Sequence, residues 1–162
     1  MPVPAVILAA MQNYQMNGKF LVNTVKDLSD EEWHRRPNEL MNDVAWIVGH
    51  MIWARKALLG RLGTEWSQPW LNDFARGRQV CDPAACPSPE TLMAAWNETA
   101  ALLTTAMDTV SEELISQPAT NGPPSADGKL SGIVNFLAIH ETYHIGQASY
   151  LRSWLGHKGI MG

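Results

Sequence analysis

Two histidines four residues apart, His140 and His144 in the run IHETYHIG, have the spacing best suited to chemistry in this chain of 162 residues. On a helix, residues i and i+4 lie one above the other. Two imidazoles at that spacing can therefore take neighbouring corners of one metal coordination sphere. Turning each residue by about 100° sets Ile133, Phe136, Leu137, His140, His144, Gln147, Leu151 and Leu155 on one stripe, so both histidines point to the core. Burying them desolvates four ring nitrogens, and either a shared cation or two separate sets of polar partners must compensate. The pair alone leaves both readings open.

His50 shifts the balance toward metal. It lies on the core-facing edge of a second helical segment, VAWIVGHMIWAR, beside Gly49, which permits close helix approach. Three histidines from two helices form the protein ligand set of an open catalytic site. Neutral imidazoles leave a divalent ion its full charge and at least one free position for a water or a thiol, either of which would be acidified. Hydrolysis and thiolate attack are both within reach of such a site. Zinc and nickel suit imidazole, but so do copper and iron.

Four further residues border the same helix face. Glu141 stands about 100° round from His140 and is a proton acceptor or ligand-orienting carboxylate on one reading, a surface group or interhelical ion pair on the other. Gln147 faces the stripe one turn beyond His144, where it orients a ligand or links to a neighbouring helix. Tyr143 is a hydrogen-bond donor to substrate or a packing residue. Arg152 either binds a substrate or thiol-cofactor carboxylate bidentately or forms a structural salt bridge. His34 and His157, in a turn and in the tail, are expected to be exposed bystanders.

The elements that must position these residues are helices throughout. Ile7, Tyr14, Leu21 and Leu28 recur every seven residues in a segment from about Ala5 to Leu28. Ser29 and Glu32 form a capping box for a short turn that Pro37 ends. Asn42 or Asp43 caps a second helix to about Leu62, with Val44, Ile47, Val48, Met51, Ala54 and Leu58 on its apolar face. Residues 63–87 show no sustained period and read as a long excursion, carrying Trp66, Trp70 and Phe74. These three, with Trp53, suit a wall over the pocket mouth or a dimer interface. Ser88, Pro89 and Glu90 start a third helix to about Val110. A Pro- and Gly-rich loop then leads to a last helix, from about Ser131 to Leu155, which Gly156 stops. Four helices of this length predict one all-α domain over residues 1–162, a four-helix bundle of up-down type, with the excursion allowing a crossover between the second and third helices.

Composition narrows the function classes. A net charge of -4 with twelve scattered basic residues argues against nucleic acid; Arg35, Arg36, Arg76 and Arg78 come nearest to a cluster. No run of 18 apolar residues and no basic leader is present, so no membrane span or signal peptide is expected and a cytoplasmic location is the default. Cys81 and Cys86 are then expected to be reduced, incidental thiols; the alternative, a second metal site, would need two more ligands to converge on the pair.

The two histidine motifs also carry a resemblance. Trp46, Gly49, His50 and Trp53, followed by His140, Glu141, Tyr143, His144, Gly146, Gln147, Tyr150, Leu151 and Arg152, resemble the DinB-like (YfiT-type) superfamily of metalloproteins. That resemblance implies a four-helix bundle, usually a homodimer, holding zinc, nickel or a similar divalent ion on three histidines. It also implies an enzyme acting on a small molecule, by S-transfer or isomerisation with a low-molecular-weight thiol, or by hydrolysis; many members have no assigned reaction. A non-catalytic metal-binding stress protein is the alternative.

Overall fold

The computed structural model describes residues 3–160. Four long helices, α1 (Leu8–Val25), α2 (Val44–Arg61), α3 (Pro89–Thr109) and α5 (Leu130–Trp154), form the bundle, with one further turn of helix, α4 (Glu112–Ile115). The start signals work as the residue types dictate. Asp43 Oδ1 accepts from the Trp46 N–H at 2.7 Å, and Ser88 Oγ accepts from the Thr91 N–H at 3.2 Å. Ser29 and Glu32 exchange side-chain and backbone bonds as a complete capping box over the short 3-10 turn Glu32–His34. The stop signals are equally explicit. Gly63 and Gly156 have φ of 83° and 94°, and each sits in the paired backbone bonds of a Schellman motif. α4 was not foreseen, because four residues capped by Ser111 are too few to show a period.

Helix directions follow from which halves meet. One end of the bundle packs Leu21, Val48, Trp96 and Ile145; the other packs Ile7, Leu58, Leu103 and Val134. The start of α1 therefore lies with the start of α5 and with the ends of α2 and α3. The order is up, down, down, up. α1 packs on α5, and α2 packs on both α3 and α5. Because α2 and α3 are parallel neighbours, the chain must return the length of a helix between them, about 27 Å for 18 residues at 1.5 Å each. The 62–88 excursion makes that crossover.

The crossover is anchored at Phe74, which is fully buried against α2. Gly49 makes room for it, since a Cβ there would collide with the Phe74 ring. Farther along, Cys81 and Cys86 correct an expectation: they are joined as a disulfide, and no free cysteine remains among the described residues. The Asp82 carbonyl accepts from the N–H groups of both Ala85 and Cys86 at 2.9 Å. That curls the loop and brings the two Cα atoms to 5.7 Å.

No helix of the described residues is long and apolar enough to cross a membrane.

Candidate metal centre

α2 and α5 pack side by side and bring His50, His140 and His144 together, with one ring nitrogen from each lying within 4.8 Å of the other two. His50 is held from three sides. Its ring is stacked between Trp46 (centroids 4.7 Å apart) and Trp53 (5.5 Å), one turn before and one turn after it on α2. Its Nδ1 lies 2.8 Å from the Phe74 carbonyl. A carbonyl only accepts, so Nδ1 carries the proton and Nε2 is left as a bare lone pair.

His144 is set the same way from its own helix. Its Nδ1 lies 2.7 Å from Gln147 Oε1, and the Gln147 amide nitrogen donates to the Tyr143 hydroxyl at 3.1 Å. With Nδ1 donating, the His144 Nε2 is also bare, and it faces His140 Nε2 at 3.1 Å. The outer nitrogen of His140, Nδ1, is buried without a hydrogen-bond partner.

Burial holds all three histidines neutral. His144 drops to about 4, first by desolvation and then by the charges of His140 and His50. His50 is lowered by desolvation despite the Phe74 bond, and His140 by desolvation and then by His50. Neutral imidazoles with inward lone pairs are the form in which histidine binds a metal. Three neutral imidazoles with ring nitrogens within 4.8 Å of one another, two of them with bare Nε2 lone pairs, are a donor set that fits a divalent ion between the rings.

The other named residues divide. Gln147 and Tyr143 join the cluster through the chain just described. Glu141 turns away, buried at 3% exposure, where it takes two bonds from Arg55 (2.6 and 3.1 Å) and one from Asn17 (3.2 Å). It is the interhelical ion pair of its two readings. Arg152 likewise forms a structural pair: its guanidinium donates to Asp27 and to the Thr24 and Lys158 carbonyls, which ties the end of α5 to the end of α1. None of these three bonds reaches the histidines. His34 and His157 are not the exposed bystanders expected; each is half-buried, His34 near Asp43 (3.6 Å) and His157 on Glu32 (2.9 Å).

Arg55 and Asn17, the partners of Glu141, are not among the residues singled out from the sequence. The signal for Arg55 was present: it falls on the apolar stripe of α2, seven residues after Val48 and four after Met51. Its charge is matched by Glu141 and its face lies 3.3 Å from the centre of the Trp96 ring. Asn17 carries no comparable signal, being one polar residue among several on α1.

A four-helix, up-down-down-up bundle with three convergent histidines on its second and last long helices defines the class. The DinB superfamily model matches residues 16–148, most of the chain, and the chain belongs to that superfamily. The fold is also that of a conserved protein from Enterococcus faecalis whose crystal structure superposes with a TM-score of 0.70. That likeness covers 94% of this chain and 96% of the other at 16% sequence identity. No curated protein matches the chain in sequence.

Proposed function

We propose that this protein is a metal-dependent enzyme acting on a small molecule, with zinc or nickel on His50, His140 and His144 and thiol-dependent S-transfer or hydrolysis as its reaction. One observation carries the reading. The outer nitrogens of His50 and His144 are each committed to an acceptor, so their inner lone pairs converge with His140 on one point. When bound, the ion supplies Lewis acidity without cancellation by any ligand charge.

The chain's own residues do the positioning. The Phe74 carbonyl and Gln147 fix two tautomers and ring orientations. Trp46 and Trp53 exclude water from both faces of His50 and keep it neutral.

Metal content measured after supplementation and desalting tests this directly. About one ion per chain is expected, falling toward none in His144→Ala; unchanged content in that variant would sink the reading. A non-catalytic metal-binding protein is the second reading, and Glu141 favours it, because its carboxylate is consumed by Arg55 and offers no general base. Titrating thiols into cobalt-substituted protein separates the two. A sulfur-to-metal charge-transfer band supports thiol chemistry, and its absence across common thiols leaves hydrolysis or simple binding.

A further inference from the structure

An open cavity of about 800 Å³ lies against the outer face of α5, lined by the exposed side chains of Ile139, Tyr143 and Tyr150, by Gln147, and on the facing side by Leu40 and Ile47. The segment bearing Leu40 is held in place, since Arg36 donates to the Glu39 and Met41 carbonyls and Asn38 accepts from the Leu40 N–H. Not one Lys, Arg, His, Asp or Glu lines the cavity. In a chain with 28 Asp, Glu, Lys and Arg residues, 16 acidic and 12 basic, that is a selective surface.

Its polar side chains, Asn13, Asn42, Thr142, Tyr143, Gln147 and Tyr150, are all uncharged, and two of them lead to the histidines. Tyr143 Oη accepts from the Gln147 amide at 3.1 Å, which leaves the phenolic proton free to donate into the cavity. Gln147 in turn accepts from His144 Nδ1 at 2.7 Å. The cavity and the histidine cluster thus share one chain of hydrogen bonds, Tyr143 to Gln147 to His144.

We infer that this cavity is the binding site for an uncharged, largely apolar small molecule that presents a carbonyl or similar acceptor oxygen to the Tyr143 hydroxyl, with Gln147 as the positioning residue that couples occupancy to His144. A largely apolar lining without one ionisable Lys, Arg, His, Asp or Glu selects for an uncharged ligand and against carboxylates, whose desolvation no cation here would offset. A thiol cofactor bearing carboxylates therefore does not lie in this cavity. The coupling to His144 rests on the metal-centre reading above; occupancy of the cavity does not.

The test uses methyl 2-naphthyl ketone, with 2-naphthoate and 2-isopropenylnaphthalene as matched probes lacking neutrality or the acceptor oxygen. Binding to the whole, metal-free protein is followed by shifts of the Ile139 and Gly146 NMR signals. The ketone is expected to bind, naphthoate at least tenfold more weakly. Tyr143→Phe should weaken the ketone by roughly two- to tenfold, the worth of one hydrogen bond, and leave the alkene unchanged. Equal binding of ketone and naphthoate, an unchanged ketone affinity in Tyr143→Phe, or ketone binding that weakens as protein concentration rises because a second copy covers the cavity, would each overturn the assignment. In cobalt-loaded protein, the ketone should alter the visible spectrum of the wild type and not of Gln147→Met; a change in both would overturn the coupling alone. Failure to load cobalt would remove the metal reading while the metal-free titration still decides the cavity.

Discussion

Arg55 and Glu141 meet in two hydrogen bonds, Nε to Oε2 at 2.6 Å and Nη2 to Oε1 at 3.1 Å, in a space where both side chains are at most 3% exposed. The pair joins α2 to α5 at the residue next to His140. It therefore sets the helix spacing on which the histidine cluster depends. Removing one partner leaves a buried charge unpaired, at a cost of about 3–5 kcal/mol. Glu141→Gln should lose stability on that scale in urea denaturation, and Arg55→Met with Glu141→Leu should regain much of it. A cost under about 1 kcal/mol for the single variant would show that the pair is hydrated and structurally idle.

Gly49→Ala sets a Cβ against the Phe74 ring. The ring must shift, and its carbonyl, the acceptor that orients His50, shifts with it. The expected result is a stability loss of roughly 1–3 kcal/mol from overpacking together with weaker metal retention. Thermal unfolding and metal content, measured side by side, check it. Retention equal to wild type would separate the Phe74 carbonyl from the centre.

Divalent metal should stabilise the folded chain by mass action, by about 2.7 kcal/mol at a hundredfold excess over the dissociation constant. A rise in melting temperature with zinc or nickel is expected in the wild type and absent in His140→Ala. An equal rise in the variant would place the ion elsewhere.

Asp127 takes the place of a missing cap at the start of α5, where Lys129 offers no side-chain acceptor. Its carboxylate accepts from the Ser131 hydroxyl and the Lys129 N–H, and these bonds, led by Ser131, lower it to about 2. A carboxyl lowered in the folded state contributes stability above its unfolded value and loses it as pH falls from about 4 through 2. Asp127→Ala should cost roughly 1 kcal/mol at neutral pH, as loss of a cap does, and the cost should shrink across that acid window. A cost independent of pH would assign it to packing.

The sequence made the helices legible because their caps are strong and local: Ser88-Pro89-Glu90, Asp43 and Gly156 each act within a turn of where they stand. It made the histidines legible because i, i+4 spacing fixes a shared face. The breadth of the buried arc of α5 was not legible. That helix packs on both α1 and α2, so its most buried residues include Val134, Ala138, Glu141, Ile145 and Ala148, while His140 and Gln147 sit at the rim. A hydrophobic stripe finds the apolar edge of such an arc and misses a charge buried in its middle. Arg55 stands on the apolar stripe of α2 in plain view, but its partner is 86 residues away in the chain and nothing local names it. Phe74 was visible as an aromatic in a long loop, but nothing in the sequence ties its carbonyl to His50. Cys81 and Cys86 were read from compartment alone, where the loop's own turn brings them together.

α5 lies beside α1 and α2 yet follows all the other described helices in the chain, and it brings two of the three histidines. Without it, the aromatic slot around His50 offers one histidine of the three, and Arg55 lacks its carboxylate partner. The three rings therefore come together only once α5 has been made and has docked against α1 and α2.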